Sequence, residues 1–121
     1  MRIITVVLIM AVTFVFSGCA MSREARIQQI QSRHPQWDQR TVEQVADGRV
    51  KVGMTEEMVV AILGEPWQVA REDRGRVWIY MAQETSTWGV LRPVPAFFVY
   101  FQDGRVAETK GDQRRVVTPL R

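Results

Sequence analysis

The sequence predicts an α+β two-layer sandwich, with N-terminal helices packed on a three- to four-stranded antiparallel meander. Three observations predict it. Apolar residues recur at helical spacing up to Leu63 and alternate strictly after Pro66. Asp103-Gly104 lies between two strand-like runs, the strongest short hairpin signal a sequence offers. Helices followed by consecutive antiparallel strands is the element order of this class.

Each element has its own local cause. Residues 22–34 read as a short helix, with Ser22 as N-cap, Glu24 in the first turn and Pro35 as the stop. Its apolar stripe is thin (Ala25, Ile27, Ile30), which suits a marginal or tethering helix. A second helix is expected from Asp38 to Asp47, capped by the Asp38 carboxylate and ended at Gly48, with Val42, Val45 and Ala46 inward. Thr55 caps a third, Glu56 and Glu57 meet the positive end of its dipole, and Met58, Val59, Ile62 and Leu63 mark its core face. Gly64 and Pro66 end it.

Strands are then expected at Trp67–Arg71 and Arg76–Ala82, joined by the turn Glu72-Asp73-Arg74-Gly75. In the second strand Val77, Ile79 and Met81 oppose Trp78 and Tyr80. A long loop is expected from Gln83 to Pro95. Strands at Ala96–Gln102 and Arg105–Thr109 complete the meander, and the basic tail from Lys110 is expected to fray.

The first twenty residues predict an address. Arg2 precedes an apolar run from Ile3 to Phe16, broken only by Thr5 and Thr13, and the small residues Ser17 and Gly18 follow. A helical span needs roughly 20 apolar residues, so this run fits the core of an export signal better than a permanent span. Phe16-Ser17-Gly18-Cys19 resembles the bacterial lipobox, with Phe16 where leucine is usual. The resemblance implies cleavage after residue 18 and a diacylglycerol plus an N-acyl chain on Cys19, the chain's single cysteine. Several acyl chains hold a protein to a bilayer where one holds it only marginally. Ala20 in place of an inner-membrane-retaining Asp implies the outer membrane, on its periplasmic face. The expected organisation is a signal peptide (1–18), a lipidated N-terminus with a tether helix (19–37), one domain (38–109) and a polar basic tail (110–121).

Composition narrows the function classes. With one cysteine, spent on the anchor, no disulfide is available and the core must come from apolar packing. The formal charge is +3, with arginines scattered from Arg23 to Arg115. A nucleic-acid binder concentrates such charge on one element, so no nucleic-acid partner is expected.

A wider pattern then stands out. Val50-x-Val52-Gly53-Met54-Thr55, followed by Val59, Leu63-Gly64-x-Pro66, Trp78-x-Tyr80, Tyr100-Phe101 and Gly104-x-Val106, resembles the BamE (SmpA/OmlA) family of small outer-membrane lipoproteins. The match runs from about Val45 to Val106. The resemblance implies two helices on a three-stranded sheet, like the repeat of β-lactamase inhibitor protein. It also implies a non-enzymatic accessory role beside the machinery that inserts β-barrel proteins into the outer membrane. The helix at 22–34 and the stretch Trp88–Pro95 depart from the pattern. Read physically, Gly53, Met54, Thr55, Leu63, Gly64, Pro66, Trp78, Tyr80, Phe101 and Gly104 specify a fold, and none is a chemical site.

No catalytic or metal constellation is expected. His34 is the single histidine, no His/Cys cluster has ligand spacing, and Ser86 has no histidine to activate it. The expected functional feature is a surface. Trp88, Val90, Leu91 and Arg92 lie in a polar, proline-bounded stretch, where partner-binding residues concentrate. The competing expectation is that Trp88 and Leu91 fold back over the open sheet face. The predicted function is therefore protein–protein contact with another envelope protein, β-barrel assembly subunits being the partner the resemblance implies. The alternative is an inhibitor-like or small-ligand-binding periplasmic lipoprotein. No cofactor is expected beyond the covalent lipid.

Overall fold

The computed structural model describes residues 21–117. The expected signal segment (1–18), the expected lipidation residue Cys19, Ala20 and residues 118–121 lie outside the described residues. Three helices, α1 (Arg23–Arg33), α2 (Gln39–Ala46) and α3 (Glu56–Leu63), precede four strands, β1 (Gln68–Glu72), β2 (Gly75–Thr85), β3 (Leu91–Gln102) and β4 (Arg105–Gly111). The strands form one antiparallel sheet in the order β1-β2-β3-β4. This is the α+β meander the sequence predicts, with four strands.

The helices start where their caps dictate. The side chains of Ser22, Asp38 and Thr55 accept from the amides of Ala25, Thr41 and Met58, each satisfying a donor that the first turn leaves free. The Asp38 carboxyl is held below its ordinary range by the hydrogen bonds from Thr41. Glu56, in the first turn of α3, pairs with Arg76 of β2 and ties the helix start to the sheet.

One apolar layer joins helices to sheet. Val45 of α2 and Met58, Val59 and Leu63 of α3 pack on Trp78 and Tyr80 of β2, Phe97, Val99 and Phe101 of β3, and Val106 of β4. Val59 and Val99 are wholly excluded from solvent. Burying one such side chain stabilises the fold by roughly 1.5–3 kcal/mol. Ile62 is only half-buried, so the inner stripe of α3 is narrower than expected. Helix α1 contributes no fully buried residue. It docks through Ile30, which packs against this cluster, and through the Arg23–Asp47 ion pair at 2.9 Å.

Two expectations are corrected. The long loop at Gln83–Pro95 is instead a ladder: Met81 pairs with Pro95, Gln83 with Pro93 and Thr85 with Leu91. Prolines are tolerated there because β4 pairs with β3 only from Phe97 onward, so residues 91–95 form an edge that needs no outward donor. The tail does not fray at Lys110, which pairs with Phe98, and β4 runs to Gly111. A 3₁₀ turn (Gln113–Arg115) follows, and the Gln113 amide accepts from Val50 N at 2.9 Å and donates to Gly48 O at 2.6 Å. The tail also satisfies a bulge. Ala96 is skipped between the pairs Tyr80–Phe97 and Met81–Pro95, and its carbonyl accepts from Asp112 N while Met81 O accepts from Val117 N.

At the start of β2 the β3 backbone comes so close that a Cβ on Gly75 (φ 145°) would lie 2.1 Å from the Phe101 carbonyl oxygen. Gly75→Ala is therefore expected to cost about 2–3 kcal/mol, the size of a strained backbone position. Gly48→Ala, which meets nothing within 4 Å, should cost about 1 kcal/mol. Urea midpoints of the two variants compare them directly, and equal losses would contradict the close approach. The Asp38 cap predicts a pH effect of definite sign. Its folded-state pKa is lowered, so its contribution is present above the ordinary carboxylate value of 3.8 and is lost as pH falls through the lower folded value. Asp38→Asn keeps a cap but cannot titrate, and should flatten that part of the stability-versus-pH curve.

Candidate functional site

The residues singled out for contact sit at the tip of the β2–β3 hairpin. Ser86 N donates to Val90 O at 2.8 Å, Gly89 N donates to Ser86 O at 2.9 Å, and Val90 N donates to Ser86 Oγ at 3.2 Å. Gly89 sits at φ 77°, which closes a three-residue loop of Thr87, Trp88 and Gly89 and is costly for other residues. Trp88 is therefore held on a braced turn. It is 91% exposed, with Val90 at 63% and Leu91 at 61%. Arg92 is exposed and pairs across the ladder with Glu84.

The fold-back expectation is thus overturned. Neither Trp88 nor Leu91 covers the sheet, because a tight turn continuing two paired strands points its tip along the strands. The sheet face away from the helices carries Val77, Ile79, Met81, Phe98 and Tyr100, flanked by Lys110, whose Nζ lies 5.1 Å from the Tyr100 ring centroid. Val77 is buried there, outside the helix-side core cluster, and Ile79, Met81, Phe98 and Tyr100 are half-buried.

The pattern residues from Gly53 to Gly104 cluster along the seam between α3 and the sheet. Gly53 N donates to Val106 O and Val106 N donates to Met54 O, both at 2.8 Å. Thr55 caps α3, Leu63 is buried, Gly64 ends the helix, and half-buried Pro66 leads to β1. The Tyr80 hydroxyl donates to Gly64 O at 2.9 Å, so the end of α3 is fastened to β2. Burial, and secondarily the charge of Glu65, pushes the Tyr80 pKa far above its ordinary value. Trp78 and Phe101 stack at a tilt with centroids 4.6 Å apart, and Asp103 and Gly104 form the β3–β4 turn. Each of these contacts holds the fold.

Among the described residues no group of three His, Cys, Asp or Glu side chains is placed to hold a metal. His34 stacks on Trp37 with centroids 3.8 Å apart. Among the described residues no helix is long and apolar enough to cross a membrane.

Two features escaped sequence reasoning. A groove of about 990 Å³ opens between α1 and α3, with Ile30, Val60, Leu63 and Trp78 among its lining residues. The indole N–H of Trp78 is buried and has no acceptor among the described residues. The second feature is the free edge of β1, where Val69 is about half exposed beside an exposed Trp67. Neither could be read from spacing, because both depend on which elements become neighbours.

No family model, curated protein or solved structure matches the chain.

The tip makes no contact that the fold needs. Trp88→Ser and Leu91→Asp are each expected to change unfolding free energy by less than about 0.5 kcal/mol. A loss of several kcal/mol in chemical denaturation would show that these side chains are structural.

Proposed function

We propose that this chain is a non-catalytic lipoprotein of the outer membrane, anchored through Cys19 on the periplasmic side, that works by protein–protein contact through the β2–β3 hairpin tip. The observation that carries the reading is Trp88 at 91% exposure beside exposed Val90 and Leu91, on a turn braced by a paired ladder. A large aromatic side chain presented on a rigid support loses little conformational freedom on binding, and Trp and Arg are favoured interface anchors. Arg92, beside the tip, adds a guanidinium that can pair with a partner carboxylate.

The address rests on the N-terminal pattern Phe16-Ser17-Gly18-Cys19. An acylated Cys19 would confine the domain to one surface and raise the effective concentration of a membrane-bound partner without adding contacts. The partner class follows from the resemblance to BamE-like lipoproteins, which rests on the residues from Val45 to Val106. On that reading the partner is a subunit of the β-barrel assembly machinery, and the role is accessory, in assembly or envelope integrity. Catalysis is not part of the proposal, since the exposed tip carries no nucleophile–base pair.

The test is a crosslinking pull-down from intact membranes with the native chain, Cys19→Ala and Leu91→Asp. Recovery of assembly subunits by the native chain alone is the expected result. Equal recovery by Leu91→Asp would remove the tip from the contact. Failure of the native chain to recover any assembly subunit would remove the assembly role.

A further inference from the structure

The groove between α1 and α3 follows one face of α1 along its length. Arg26, Gln29, Ile30, Arg33 and His34 line it at helical spacing, and Met21, just before the Ser22 cap, lines it at the N-terminal end. Glu57, Val60 and Ala61 of α3 form the opposite wall, and Glu65 continues it past the helix end. The buried residues Val45, Ala46, Leu63 and Trp78 lie at its floor. Helix α1 covers this floor loosely, since none of its residues is fully buried and only Ile30 among them packs on the core cluster.

Charge and position select an occupant. Bases stand on one wall and acids on the other, and none of Arg26, Arg33, Glu57 and Glu65 has an ion-pair partner among the described residues. An anionic amphiphile would meet Glu57 and Glu65 and a cationic one Arg26 and Arg33, so the walls favour an uncharged apolar body. The methylene stems of the two arginines can lie along such a body while their heads stay in water. Position narrows the choice to a group carried by this chain. Met21 is two residues from Cys19, a reach of at most about 7 Å. Helix α1 has 11 residues, which makes it about 16 Å long. One acyl chain spans half of a hydrocarbon core of about 30 Å, so it is about 15 Å long. A chain borne by Cys19 would enter at the Met21 end and match the groove in length.

We propose, resting on the lipid anchor proposed above for Cys19, that the groove holds one acyl chain of that lipid whenever the domain is away from a bilayer. In water the chain covers Met21, Ile30 and Val60 and is itself withdrawn from solvent. A bilayer buries every methylene, whereas the groove is open on one side, so the membrane takes the chain back. The hairpin tip plays no part in this exchange.

The test uses the full mature chain with Cys19 Sγ coupled to a single hexadecyl maleimide, because one chain binds membranes weakly enough to measure. Nuclear Overhauser contacts are expected between the chain methylenes and the methyl groups of Ile30 and Val60. Sheltering lowers the apparent affinity for phosphatidylcholine vesicles in proportion to the fraction of free chain. Val60→Glu, which puts a charge into the groove, is therefore expected to bind those vesicles at least about tenfold more tightly. Ala61→Glu, at an exposed position of the same wall, should do the same and decides the matter if Val60→Glu fails to fold. Unchanged vesicle affinity in the folded variants, or acyl contacts elsewhere on the domain, would overturn the proposal. Contacts that appear only as protein concentration rises would place the chain in a second copy and overturn it too. The mass of the chain extracted from cell membranes keeps the two readings apart. Cys19 without lipid removes the anchor and this proposal with it, whereas a lipidated Cys19 without the groove contacts overturns the sheltering alone.

Discussion

The layer of side chains between α3 and the middle of β2 and β3 is the constraint on which the rest depends. Val59 and Val99 have no exposure at all, and Met58, Leu63, Trp78, Tyr80, Phe97 and Phe101 close around them. With no disulfide available, this layer must supply most of the favourable free energy of folding. It also fixes register. A one-residue slip of β2 against β3 would turn Trp78 and Tyr80 away from the helices, a loss too large for so small a core. The Tyr80–Gly64 hydrogen bond and the pairing of Gly53 and Met54 with Val106 hold the two ends of α3 over the sheet.

A fixed register in the core makes a projecting hairpin possible. Beyond Phe97 the ladder continues without help from β1 or β4, through Ala82–Val94, Glu84–Arg92 and Thr85–Leu91. An isolated two-stranded ribbon is marginal in water. This one is an extension of a buried pair, and it is braced at its base by the C-terminal segment, where Arg115 pairs with Glu84 and Val117 N donates to Met81 O. The tail is a strut for the arm that carries Trp88. Trp88, Val90 and Leu91 gather exposed apolar surface at that tip.

The helix caps were legible because capping is a local chemistry: Ser22, Asp38 and Thr55 announce their helices within three residues. The Asp103-Gly104 turn and the alternation of β2 and β3 were legible for the same reason. The length of the hairpin was not. Gln83, Glu84, Arg92, Pro93 and Pro95 have loop composition, and only the absence of a neighbouring strand past Phe97 lets them pair. The role of the tail was hidden too, since Gln113 reaches back more than sixty residues to Gly48 and Val50. At the candidate site the composition of the tip was readable and its orientation was not. A loop of thirteen residues can fold back on a sheet, whereas a three-residue turn cannot.

The central claim is that the hairpin tip is the working surface of the molecule. It is tested most directly by a photo-crosslinking amino acid placed at Trp88 in growing cells, with the same group at Val52, another exposed apolar position, as the comparison. The account predicts one discrete, higher-mass adduct with an envelope protein from position 88 and none from position 52. No adduct from position 88, or the same adduct from both positions, would contradict it.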